Sequence, residues 1–61
     1  MSIAIIAKQV IDEATAIIQY TESIEASADK EVIARFSEIR NDELTHLQQL
    51  VVLLSKTFKH E

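Results

Sequence analysis

Glu43 and His46 stand three residues apart in a stretch otherwise rich in Ile, Leu, Val and Phe. On a helix, that spacing puts a carboxylate and an imidazole on one face. The surrounding apolar pattern turns this face toward an expected core. A buried carboxylate beside a buried imidazole is costly unless it is paired, and a metal ion is the usual partner of such a set. Seven Glu and two His would give roughly 0.2 such pairs by chance, so the pair alone is a weak signal and its setting must carry the argument.

The setting is a pair of heptad seams. Ile3, Ile6, Val10, Glu13, Ile17, Tyr20 and Ile24 recur at spacings of 3 and 4, and so do Val32, Phe36, Ile39, Glu43, His46, Leu50 and Leu53. Seams of this kind pack helix on helix. The two sets are out of phase, because continuing the first would bring Ser27 and Glu31 into the core. The register therefore breaks between about Glu25 and Lys30. Ser27 and Asp29 in that break are N-cap residue types, and Asp29 and Glu31 suit the positive end of a following helix. Ser2 can cap the first helix, and Lys56, Lys59 and His60 suit the negative end of the second. The sequence thus predicts one unit over 1–61, with a helix over about 3–25, a turn at about 26–30 and a helix over about 31–58. The absence of Gly and Pro agrees, since tight β-hairpins normally use glycine turns.

A short connection makes two helices antiparallel neighbours. With the turn centred near Ala28, residues whose numbers sum to about 56 share a level. Glu13 then meets the level of Glu43, Tyr20 that of Phe36, and Val10 that of His46. Second apolar rows flank both seams: Ile11 and Ile18 on the first helix, and Ile33, Leu44, Leu47, Val51, Leu54 and Phe58 on the second. That stripe is too wide for one partner helix to cover. A chain of 61 residues buries only ~60% of its unfolded surface, and without Cys it has no disulfide to compensate. The expected fold class is therefore all-α: an antiparallel two-helix hairpin that pairs with a second chain into a four-helix bundle.

Composition excludes other classes. The net charge of −4 and the scattered basic residues argue against a nucleic-acid partner. No apolar run approaches the ~20 residues that span a bilayer. No basic segment precedes Ile3, Ile5 and Ile6, so a signal peptide is not expected, and the lack of Cys fits the cytoplasm.

Glu13, Glu43 and His46 are the polar interruptions of the seams, and all fall near one level of the hairpin. Di-iron carboxylate bundles use a Glu from each of two helices and a Glu-x-x-His from each of the other two. This chain supplies one of each. Two chains about a twofold axis would supply four carboxylates and two imidazoles, enough for two iron ions per subunit pair. The expected roles are Glu13 as a terminal ligand, Glu43 as a bridge and His46 as the nitrogen ligand. Manganese suits the same donors. Two rival readings stand beside this one. The first is a non-catalytic oligomerisation module whose polar layer sets register. The second is a rubrerythrin-like or manganese-binding carboxylate protein.

Beyond the pattern, Glu13, Tyr20, the segment Glu25-Ala26-Ser27-Ala28-Asp29, and then Arg40, Asp42, Glu43 and His46 resemble the encapsulated ferritin family. The match runs without gaps from about Glu13 to His46, a little over half the chain. The resemblance implies a ferritin-like bundle with ferroxidase activity, in which Fe(II) becomes Fe(III) at a site shared by two subunits. It implies Glu13, Glu43 and His46 as catalytic ligands, with Tyr20 close to them. It also implies ring-like decamers that work inside an encapsulin shell, in iron storage and detoxification. Family members continue into a further C-terminal helix and a shell-targeting peptide, and neither is seen in these 61 residues.

Other residues have plainer expectations. Tyr20 also suits an amphipathic core position. Asp12, Glu22, Glu25 and Asp42 lie off the seams and should be solvated, with Asp12 placed to guide cations toward Glu13. Glu31 and Arg35 are spaced for an i,i+4 ion pair. Arg40, three residues before Glu43, is spaced to orient a carboxylate, with a surface role as the main expectation, and His60 is expected to be inert.

Overall fold

The capping signals act where the sequence places them. The computed structural model describes residues 2–60, with the side chain of His60 outside that description. Helix α1 spans Ile3–Ala26 and helix α2 spans Lys30–His60. Ser2 accepts the Ile5 amide at its hydroxyl, 3.2 Å away, and so satisfies one of the free donors at the start of α1. Asp29 does more for α2. Its Oδ1 accepts the amides of Glu31 at 2.9 Å and Val32 at 3.3 Å, while its carbonyl accepts that of Ile33 at 3.0 Å. Ser27 closes the other side, accepting the Asp29 amide at 3.1 Å and donating its own to the Ile24 carbonyl at 3.3 Å. Among the described residues no φ is positive, so the connection of Ser27, Ala28 and Asp29 needs no glycine.

The result is the antiparallel two-helix hairpin. It is a rod of 47 × 14 × 12 Å with a radius of gyration of 14.2 Å. A compact chain of this length would measure about 10.5 Å. The rod shape leaves little interior. Ile6, at 1% exposure, is the one fully buried side chain among the described residues. Ile6→Ala should cost about 2–5 kcal/mol in a denaturant titration of the whole protein, the range for deleting a packed isoleucine. A loss below about 0.5 kcal/mol would mean that the neighbouring side chains refill the space.

In α1 the large apolar residues that are buried or half-buried are Ile3, Ile6, Val10, Ile17, Tyr20 and Ile24, in one row with Glu13, as the heptad spacing predicts. Helix α2 departs from expectation. Its half-buried row is Ile33, Phe36, Arg40, Glu43, Leu47, Leu50, Leu54 and Thr57. The expected seam members Val32, Ile39 and Leu53 are 37–38% exposed, and His46 stands beside them on the same flank. The helix is rotated by about half the 100° between successive residues. Phe36, Glu43 and Leu50 belong to both rows, and the rest are exchanged for their chain neighbours. The tilted Tyr20–Phe36 ring pair, with centroids 5.8 Å apart, bears out the expected level.

The rotation leaves apolar surface uncovered on two sides of α2. Val32, Ile39 and Leu53 recur at heptad spacing on the flank that carries His46, while Leu44, Val51 and Phe58 recur on the other, at 40–66% exposure. Ile11 and Ile18 are likewise exposed on α1. No helix among the described residues is long and apolar enough to cross a membrane.

Candidate metal centre

Two different helices position the three ligand types. Glu13 lies on the inward row of α1, between Val10 and Ile17. Glu43 lies on the inward row of α2, between Arg40 and Leu47. His46 follows Glu43 by almost one turn and stands at the edge of the hairpin. One ligand atom from each of Glu13, Glu43 and His46 falls within 4.8 Å of the others. The sequence-based grouping is thus met in space.

The details fit a cation better than a direct bond. His46 Nδ1 and Glu13 Oε2 are 4.0 Å apart, too far for a hydrogen bond. Glu13 Oε2 is closed to solvent and has no hydrogen-bond partner. A sealed carboxylate oxygen without a donor is unfavourable and calls for a partner of another kind. Bonds of about 2.0–2.2 Å to one ion separate its ligand atoms by roughly 3–4 Å, so small side-chain adjustments bring this set into range. Two carboxylates and one imidazole suit first-row divalent metals such as iron and manganese, and an imidazole facing inward through Nδ1 offers that nitrogen as the ligand. The Glu13 side chain is 22% exposed, whereas that of His46 is 55% exposed. The site is therefore closed by the hairpin on the Glu13 side and open on the His46 side.

Tyr20 is half-buried one heptad from Glu13 on the inward row of α1. Asp12 is exposed and paired with Lys8 at 3.2 Å, so its charge is partly committed to that contact. Glu22, Glu25 and Asp42 are exposed, as expected. Glu31 and Arg35 are both exposed, and no ion pair joins them among the described residues. The expectation for His60 falls on a side chain outside the described residues.

Arg40 is where the structure corrects the sequence reading. It is half-buried on the inward row of α2 rather than at the surface, and Nη1 donates to Thr21 Oγ1 across the hairpin at 3.4 Å. Its Nε is closed to solvent without an acceptor. The signal was present in the spacing, since Arg40 lies three and four residues from Glu43 and Phe36, but charged residues are solvated by default.

No protein-family model matches this chain, and no curated protein or solved structure matches it significantly. The functional reading rests on the residues themselves.

Proposed function

We propose that the chain is a ferroxidase-type protein that takes Fe(II) as substrate at a carboxylate–imidazole site completed by a second copy of itself. The observation that carries this reading is the sealed, unpartnered Glu13 Oε2, held 4.0 Å from His46 Nδ1 in a cluster with Glu43. Three protein donors are half of what a di-metal centre uses. The open side of the cluster carries His46 within the apolar row of Val32, Ile39 and Leu53. A second chain seated on that row would bring its own Glu13, Glu43 and His46 to the same place. The resemblance of Glu13, Tyr20, Glu43 and His46 to encapsulated ferritins supports the same reading. It extends the proposal to larger rings working within an encapsulin shell.

In such a site the carboxylates hold Fe(II) and offset its charge, and they stabilise Fe(III) more strongly than Fe(II). Two ions each give up one electron, and an oxygen-derived oxidant takes both. His46 fixes the geometry through a neutral nitrogen. Tyr20, one heptad along α1 from Glu13, packs its ring against Phe36 across the hairpin. Manganese could occupy the same donors, and the metal used depends on supply as well as on ligand type.

The expected result in native mass spectrometry after anaerobic Fe(II) loading is two metal ions per dimer. Exposure to air should then raise the near-ultraviolet absorbance of ferric species. A protein that stays metal-free, with the same melting temperature with and without metal, would instead be an oligomerisation module with a polar layer.

A further inference from the structure

Ile39 and Leu53 lie seven residues to either side of His46 on the open flank of α2, and both are 38% exposed. The row therefore has the same spacing in both directions about His46. Turned end for end, it lays Ile39 on Leu53. The candidate site also sits at the middle of the rod. Glu13 is within two residues of the midpoint of Ile3–Ala26, and Glu43 and His46 are within two of the midpoint of Lys30–His60. A twofold axis across the rod at His46 would overlap two copies over almost their whole length.

The flank of α1 on that side is different in kind. Arg40 donates to Thr21 across the hairpin, and Arg40 lies about 120° around α2 from His46. Thr21 thus marks the flank of α1 away from His46. The flank on the His46 side carries Gln9, Ala16 and Ser23 at heptad spacing. Two hairpins can meet through this face about a twofold axis in two ways. With the axis along the rod the copies run parallel, and α2 of one lies on α1 of the other. Ile39 then meets the partner's Ala16, and Val32 the partner's Ser23. With the axis across the rod the copies run antiparallel and α2 lies on α2. Ile39 then meets the partner's Leu53, and the symmetry repeats the contact. Only the second arrangement covers apolar side chains with apolar side chains, which is where burial gains most.

The charge on the two ends favours the same choice. The five acidic residues from Glu22 to Glu38 outnumber Lys30 and Arg35 at the turn end. At the other end Lys8, Lys56 and Lys59 outnumber Asp12 among the described residues. Antiparallel copies set unlike ends side by side, and parallel copies set like ends together. At closer range Arg35 and the partner's Lys56 come to one level as like charges, so the gain belongs to the ends as wholes.

We propose that the second chain lies antiparallel to the first, with Ile39 on the partner's Leu53 and the twofold axis crossing the rod at His46. The inference rests on the reading that a second copy completes the site, and it adds how that copy is set.

The chain has no cysteine, so introduced thiols report pairing without background. Ile39→Cys and Leu53→Cys are prepared separately, mixed and oxidised, once with Mn²⁺ and once in chelator. The expected product is the disulfide between the two variants, about tenfold in excess of either variant linked to itself. Identical positions would stand roughly 21 Å apart along the rod, whereas a disulfide needs Cα atoms within about 7 Å. Ile39→Cys mixed with Ala16→Cys should give no link. A link between that second pair marks the parallel arrangement and overturns the proposal. So does self-linkage of Ile39→Cys as ready as its linkage to Leu53→Cys, and so does the absence of any link. Metal binding is scored apart. If the Ile39–Leu53 link forms in a protein that binds no Mn²⁺, the antiparallel pair stands and the ferroxidase reading fails alone. If two ions bind per dimer and the link is Ile39–Ala16, that reading stands and this proposal falls.

Discussion

Glu43→Ala should abolish rapid iron oxidation and remove the metal-dependent gain in thermal stability. The effect is expected to be large because the substitution acts several times over. Glu43 is the carboxylate nearest both other ligands along the chain and across the hairpin, and the expected bridge between two ions. A twofold pair would lose it twice. Even residues that only orient metal ligands typically cost 10–100-fold when removed, so loss of a bridging ligand should cost roughly 100-fold or more. His46→Ala should act in the same direction through its nitrogen. The readout is the initial rate of ferric absorbance after anaerobic Fe(II) loading, beside the melting temperature with and without metal. In the metal-free protein Glu43→Ala should be neutral or stabilising, since it relieves the convergence with Glu13. A variant that oxidises iron as fast as wild type would sink the assignment of this cluster.

Ile39→Asp should dissociate the proposed pair. Ile39 is 38% exposed in the isolated hairpin and central to the row of Val32, Ile39 and Leu53 beside His46. In a symmetric interface each substitution counts twice, and an unpaired carboxylate taken out of water costs several kcal/mol. The dissociation constant of the proposed dimer should rise roughly 1,000-fold or more, enough to leave the variant monomeric in sedimentation velocity at micromolar concentration. Gln48→Asp, on the far face of the same helix, should leave the assembly intact. Survival of the dimer in Ile39→Asp would place the interface elsewhere, with Leu44, Val51 and Phe58 as the next row to test. Because the site is open on the His46 side, Ile39→Asp should also lower metal affinity without touching a ligand.

Much of this was legible in the residues, and what was not has a physical cause. The inward row of α1 could be read because it runs the length of the helix from Ile3 to Ile24, whereas the rival row through Ile11 and Ile18 starts at Ala4 and ends at Glu25. The break near Ala28 was legible because the two heptad sets disagree in phase, and Ser27 and Asp29 cap where they disagree. The rotation of α2 was not legible. Val32 and Ile33, or Leu53 and Leu54, are adjacent residues of similar hydrophobicity, so the pattern supports either edge of the stripe. The convergence of Glu13, Glu43 and His46 survives the ambiguity because Glu43 lies in both rows. The exposure of His46 and the half-burial of Arg40 do not, since they trade places with Leu47 and Ile39 as the helix turns. Pairwise spacing records which residues share a face, whereas the face chosen depends on the whole width of the stripe.

The connection between the helices has an evolutionary consequence. Ser27, Ala28 and Asp29 hold their shape through two side-chain caps, and no position among the described residues demands a left-handed backbone. Many sequences could satisfy such a linker, so its composition is free to drift. Its length is held more closely. A residue gained or lost there must be taken up by the loop or by a helix end, and where a helix end takes it up, that helix shifts by about 1.5 Å and turns by about 100°. That would carry Glu43 out of reach of Glu13 while leaving each helix's own pattern untouched. The linker acts as a gauge, and in related chains its count should be kept long after its letters have changed.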